Sequence, residues 1–163
     1  MFEIPVGFVV TYQFKHYKLV EDYISCDGCA FRDMLPVCPH NVVGECDMRK
    51  RKDGLSIKFI EVGKPTTTEI RNMRLVLADH CCEYCGKPVS GLDEHLHHVI
   101  DTNEARRTAY EALLTTRILC YACHEGVNKG TVLMHYRKEV DAWLLLQYDQ
   151  KEVMKITGKG IRF

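Results

Sequence analysis

Two Cys-x2-Cys pairs bracket a pair of adjacent histidines: Cys82-Glu-Tyr-Cys85-Gly86, then His97-His98, then Cys120-Tyr-Ala-Cys123-His124. This order constrains the chain more than any hydrophobic pattern in it. Two thiolates spaced by two residues reach one ion at about 2.3 Å each, and a second such pair closes a tetrahedral shell with no open position. Cys82, Cys85, Cys120 and Cys123 are therefore expected to hold a structural zinc. Gly86 follows the second cysteine, where a left-handed backbone lets N–H groups turn toward the sulfurs. The alternative is four buried reduced cysteines. Cys81 is spare, and a spare cysteine is most often a small packed side chain.

The histidines ask for different chemistry. If His97 and His98 end a strand, alternation sends their rings to opposite faces, one toward a metal and one toward a substrate. His124 and Asn128 are four residues apart and share a face if one helix carries both. An ion held by His97, His124 and Asn128 keeps open positions for water and a phosphate oxygen, where it acts as a Lewis acid. His98 can then take a proton from the attacking water. The plain alternative is three structural histidines.

On these residues the stretch from about 75 to 130 resembles an HNH endonuclease domain of the Cys-knuckle kind, a ββα-metal fold. The resemblance covers about a third of the chain. It implies zinc at Cys82, Cys85, Cys120 and Cys123. It further implies His98 as general base, His97 and His124 as ligands of Mg²⁺, Mn²⁺ or another divalent ion, and Asn128 as a further ligand or phosphate contact. The implied reaction is hydrolysis of DNA to a 5′ phosphate. One position departs from the pattern: the family's middle Asn, five residues before the second Cys pair, is Thr115. A hydroxyl supplies one hydrogen bond but not the two-sided pattern of an amide.

A second cluster lies upstream. Cys26-x2-Cys29, Cys38 and Cys46 are spaced closely enough for a loop-rich module that folds around metal, with His40 able to replace one ligand. The alternative is four unliganded loop cysteines. The cluster resembles a short zinc module found in phage and mobile-element proteins, which implies a second structural zinc and a role in positioning substrate or a protein partner. Arg49, Lys50, Arg51 and Lys52 follow it. They are either a solvated turn or a phosphate contact, with Lys129 as a further candidate. Arg71, Arg74, Arg106, Arg107, Arg117, Arg137 and Lys138 could add a second basic patch.

Charge and composition limit the rest. Lys and Arg total 22, as do Asp and Glu, so bulk attraction to nucleic acid is not expected and any phosphate contact must be local. Nine cysteines with no basic, apolar leader point to a reducing compartment and to metal rather than disulfides. The expected location is cytoplasmic, that of a bacterial host if the chain is phage-encoded. The run Trp143 to Leu146 is too short to cross a bilayer, so no membrane association is expected.

The expected fold class is α+β. A β-rich zinc module spans residues 1–63, with strands over Gly7–Phe14 and Leu55–Val62 and a turn at Asp53-Gly54. An HNH-like domain with a C-terminal helix spans 64–163. Within it Thr66–Thr68 supply N-cap candidates for a helix ending near His80. Lys87–Ile100 reads as a hairpin turning near Ser90-Gly91, and Glu104–Leu114 as a helix. Tyr121–Lys129 reads as a short helix stopped by Gly130, and Thr131–Gln147 as the longest helix. The apolar face of that last helix packs on its own core or on a second copy, so a homodimer is one expectation. Two functions follow. One is a metal-dependent DNA endonuclease. The other is a non-catalytic zinc-stapled module that binds nucleic acid or protein, such as a phage regulator.

Overall fold

The computed structural model describes residues 3–23, 25–35, 37–100, 110–126 and 129–158, with only the backbone of Lys129. The chain is α+β and divides into two compact units, Met1–Pro65 and Thr66–Phe163.

The first unit is built on an antiparallel sheet of β1 (Val9–Tyr12), β2 (Lys15–Glu21) and β3 (Ile57–Val62), in that order. β1 and β2 are joined by Gln13 and Phe14, both with positive φ (47° and 63°). Two left-handed residues in a two-residue loop match the right-handed twist of the flanking strands. Neither residue is Gly, Asn or Asp, so the turn carries no sequence signal, and the expected single strand to Phe14 is instead the first arm of a hairpin. β2 alternates: Tyr17 and Leu19 are buried while Lys18 is exposed. Its register places Leu19 opposite Phe59. Phe31, fully buried, sits among Tyr12, Tyr17 and Phe59 with ring centroids 5.7, 4.6 and 5.2 Å away. The Ala30 N–H donates to the Phe59 carbonyl at 2.7 Å. These contacts hang the first cysteine loop on the sheet. A short helix, α1 (His40–Val43), buries Val42 and Val43.

The second unit begins with α2 (Thr67–Leu77), capped as expected: Thr66 Oγ1 accepts the Glu69 N–H, and Glu69 Oε2 accepts the Thr66 N–H at 2.7 Å. The helix ends into Asp79 and His80, both left-handed. β4 (His95–His98) pairs antiparallel with β5 (Thr116–Leu119), with His97 opposite Arg117 and His98 opposite Thr116. The expected hairpin within Lys87–Ile100 does not form. Gly91–Asp93 is a single 3-10 turn, and Pro88 makes only an isolated bridge to Cys81.

α3 (Tyr121–Glu125) ends at Gly126, not at Gly130. A Cβ on Gly126 would stand 2.1 Å from the Ala122 carbonyl oxygen, so the chain leaves the helix where no side chain fits. Gly130 lies inside α4 (Lys129–Leu145). Of the expected Glu104–Leu114 helix, residues 104–109 lie outside the described residues. Of the remainder, Tyr110 lies in a turn and Ala112 is extended before a 3-10 turn at Leu113–Thr115.

α4 buries Val132, Tyr136, Val140 and Leu144, an i, i+4 row, against Leu75, Val99, Ile118 and Leu119. That face belongs to the unit's own core. α5 (Gln150–Thr157) closes the core with Val153 and Ile156. Asp149 is its N-cap and Gly158, left-handed, its C-terminal stop. No helix among the described residues is long and apolar enough to cross a membrane.

Candidate functional site

The four sulfurs of Cys82, Cys85, Cys120 and Cys123 lie within 4.8 Å of one another. Sulfurs at about 2.3 Å from a tetrahedral ion stand about 3.8 Å apart. Cys85 Sγ and Cys120 Sγ are 3.8 Å apart. The geometry and the all-thiol donor set fit a structural zinc, as the spacing predicts.

Local backbone bonds explain the fit. Gly86 (φ +74°) sends its N–H to the Cys82 carbonyl at 2.8 Å, and the Cys82 N–H reaches the Lys87 carbonyl at 2.7 Å. Cys120 caps α3, and its carbonyl accepts the His124 N–H at 2.9 Å. Burial pushes the Cys82 thiol up, but the N–H groups of Cys120, Cys85 and Tyr84 outweigh it and bring the thiol down to about 7. Burial and the neighbouring sulfurs push Cys123 the other way. Cys81, half-buried, lies outside the cluster.

Glu83, between the first two cysteines, is clamped from both sides. Arg74 of α2 forms a two-pronged ion pair with it, with Nε at 2.9 Å from Oε2, and the Ile118 N–H of β5 donates to the same oxygen at 2.7 Å. Arg74 is buried and also donates to the Leu113 carbonyl. The knuckle is thus fixed to a helix and a strand by bonds of its own.

The histidines divide as alternation requires. His97 is buried and meets His124 edge-on, ring centroids 5.5 Å apart. His95, two residues earlier on the same face of β4, stacks on His124 at 5.0 Å. Its place beside the pair was readable from the i, i+2 spacing. His95 Nε2 bonds the Leu92 carbonyl and His124 Nδ1 bonds Glu125 at 2.8 Å. Among the described residues, these rings do not join a third donor in a group within 4.8 Å. Asn128 lies outside the described residues.

His98 faces the other way. Its Nε2 lies 2.6 Å from Glu111 Oε1, and Glu111 Oε2 accepts the Thr67 hydroxyl at 2.8 Å. Glu111 is buried, and no motif marks it in the sequence. Thr115 does not approach His98 through its side chain. Its hydroxyl donates to the Tyr110 carbonyl and accepts the Ala112 N–H, both at 2.9 Å, while its carbonyl accepts the Val99 N–H. It therefore braces the turn that carries Glu111.

The first unit's cysteines are looser. Cys26, Cys29, Cys38 and Cys46 line one cavity of about 500 Å³ together with His40 and Glu45. Among the described residues, the group of three or more donors within 4.8 Å of one another here is His40, Glu45 and Cys46, with Cys46 Sγ 3.9 Å and Glu45 Oε1 3.8 Å from His40 Nδ1. Burial, with Cys46, Cys29 and Cys26 nearby, pushes the Cys38 thiol up to about 12. Burial, with Glu45 close by, pushes Cys46 up to about 11.

The basic run is mostly occupied. Arg51 is buried, paired with Asp53, and donates to the Glu45 and Ile4 carbonyls at 3.1 and 3.2 Å. It is a structural residue rather than a phosphate contact, because leaving its pocket would strand those acceptors. Arg49 is forked onto Asp47 and Lys50 approaches Glu45, both from exposed positions. Lys52 is exposed. Arg71, Arg74, Arg117 and Arg137 pair with Glu94, Glu83, Glu139 and Asp141, which occupies these four cations of the expected second patch. Arg106, Arg107 and the Lys129 side chain lie outside the described residues.

Comparisons with family models, with curated proteins and with solved structures returned no match.

Proposed function

We propose that this chain is a metal-dependent endonuclease of the HNH kind, hydrolysing phosphodiester bonds in DNA. One observation carries the reading. A two-stranded ribbon followed by a short helix, bracketed by two Cys pairs, holds His97 against His124 on one face and His98 against a buried carboxylate on the other. His97 and His124 would hold a divalent ion, Mg²⁺ or Mn²⁺. Bound there, such an ion supplies Lewis-acid stabilisation of charge on the scissile phosphate and the leaving 3′ oxygen. His98 takes a proton from the attacking water. The zinc at Cys82, Cys85, Cys120 and Cys123 keeps β4, β5 and α3 in register. The first unit, with zinc held among Cys26, Cys29, Cys38 and Cys46 and with His40 at hand, positions the substrate or a protein partner. Lys52, exposed, and Lys50, which also approaches Glu45, are its phosphate contacts.

The test is His98→Ala in the full chain. It is run against supercoiled, nicked, branched and single-stranded DNA with Mg²⁺, Mn²⁺, Ni²⁺ or Zn²⁺. Wild type is expected to cut at least one substrate, and the variant to lose roughly 10²-fold or more of that rate. No wild-type cutting under any of these conditions, or equal cutting by the variant, removes the reading.

A second reading rests on the same His98–Glu111 hydrogen bond. A histidine bonded to a buried carboxylate also suits a purely structural role, and Arg71, Arg74, Arg117 and Arg137 are each paired with a carboxylate. In that case the chain is a zinc-stapled module that binds DNA or protein without cutting. Binding that survives His98→Ala, with no cleavage by wild type, selects it.

A further inference from the structure

We propose that Glu111 is a positioning residue for His98, with Thr67 holding Glu111 in turn. This rests on the reading of His98 as the general base. An ionised carboxylate only accepts hydrogen bonds. The 2.6 Å contact from Glu111 Oε1 therefore places the ring proton of His98 on Nε2 and leaves the Nδ1 lone pair to take a proton from water. The carboxylate has no freedom to wander. Its second oxygen is taken by the Thr67 hydroxyl at 2.8 Å, and its side chain is only 6% exposed. Thr67 is the first residue of α2, where the helix dipole favours a negative charge. The turn that presents Glu111 is braced by Thr115.

The arrangement assigns a role to the position where the HNH resemblance breaks. Thr115 does not replace an amide that would hold the base. It shapes the turn from which a carboxylate thirteen residues after His98 does so. His98 itself stays reachable, its side chain 20% exposed, while its partner is sealed. A carboxylate present only for folding would have no reason to prefer one ring nitrogen of a partly open histidine.

Glu111→Gln separates the two possibilities. The change is nearly isosteric, but the glutamine amide can donate to Nε2 and move the ring proton to Nδ1. Nitrogen shifts of the His98 ring are expected to show an Nε2-protonated ring in wild type and an Nδ1-protonated or mixed ring in the variant. Cleavage is expected to fall roughly 10²-fold in kcat with KM nearly unchanged. Adding Glu111→Gln to His98→Ala is expected to cost little more, since the two act as a unit. Thr67→Val should lose several-fold in kcat and Thr67→Ser should restore it. Zinc content monitors folding. If Glu111→Gln loses its zinc, the Thr67 pair carries the test, and equal kcat in Thr67→Val and Thr67→Ser overturns the proposal. An unchanged ring tautomer in folded Glu111→Gln overturns it whatever the activity. So does a changed tautomer with wild-type cleavage. If wild type cuts nothing, the nuclease reading and the positioning role fall together, and the ring spectrum then reports only whether Glu111 sets the tautomer.

Discussion

The two cysteine clusters of this chain have the same number of thiols and opposite states of preparation. In the second unit four sulfurs sit at the spacing of a tetrahedral site, one pair on a turn bonded to β5 and α2 and the other at the start of α3. In the first unit the thiols stand around a cavity in a loop held to the sheet through Phe31, Ala30 and the Cys46 carbonyl, and among the described residues the four sulfurs do not gather into one group as they do in the second unit. The difference lies in what the intervening residues do. Glu83 lies inside the Cys82–Cys85 knuckle and is clamped by Arg74 and Ile118, whereas Asp27 and Gly28, inside the Cys26–Cys29 turn, reach no buried partner among the described contacts. A site assembled by its fold spends its binding energy on holding the ion, and a site assembled by the ion spends part of it on ordering the chain.

The largest expected effect follows directly. Structural zinc contributes about 10–16 kcal/mol to small metal-folded modules, as much as the whole stability of a typical domain, about 5–15 kcal/mol. Titrating the full chain with a strong chelator should release two zinc ions in separate steps. The first step should remove amide protection from β1–β3 and leave β4 and β5 protected. A first release that exposes β4 and β5 would reverse the comparison. A content of one zinc per chain in the untreated protein would end it, because the first cluster would then not be a metal site.

Next in size is the ion pair beneath the second knuckle. Arg74→Met removes the two-pronged partner of Glu83, a side chain 16% exposed, and leaves it only the longer approach of Arg117 at 3.9 Å, a change that costs about 2–3 kcal/mol. Trp143 is the only tryptophan and lies in α4, so its fluorescence follows urea unfolding of the second unit alone. Adding Glu83→Gln should recover part of the loss. The matching change in the first unit, Arg51→Met, removes bonds to two carbonyls but leaves Asp53 with access to water, and should cost only about 1–2 kcal/mol. Equal losses at Arg74 and Arg51 would mean that the second knuckle owes its order to something other than this clamp.

How far the chain could be read in advance follows from how local each signal is. The Thr66–Glu69 capping box, the strand at Ile57–Val62 and both Cys-x2-Cys turns depend on neighbours within a few residues, and all are legible. β2 is not, because Gln13 and Phe14 make a left-handed turn without the residues that usually mark one. The partner of β4 is not, because Ser90-Gly91 mimics a hairpin turn while the true partner strand begins at Thr116. α5 had readable signals at both ends, Asp149 and Gly158, in a tail that otherwise looks featureless. Within the candidate site the zinc ligands are spacing and the His97/His98 division is alternation. Glu111 is neither: a buried carboxylate meeting a histidine across a thirteen-residue gap exists only after the turn at Leu113–Thr115 has formed.

The smallest expected effect is a difference in pH dependence between the two metal-free units. Cys82 is held near 7, below its ordinary value of 9. Its folded form loses the proton first, so its contribution to stability is present above about pH 9 and is lost as the pH falls through 7. Cys38 and Cys46 are raised to about 12 and about 11. Their contribution is complete below about pH 9 and is lost as the pH rises through 11 and 12. Between pH 7 and 9 the metal-free second unit should therefore gain stability while the first stays level. Above 9 both should weaken, the second because Cys123 is also held protonated by burial and its neighbouring sulfurs. Thiolate absorbance of the folded, metal-free chain should show an early step near pH 7 that Cys82→Ser removes and Cys38→Ser does not. If Cys38→Ser removes that step instead, the prepared thiolate belongs to the first cluster, and the order in which the two sites take up zinc should invert with it.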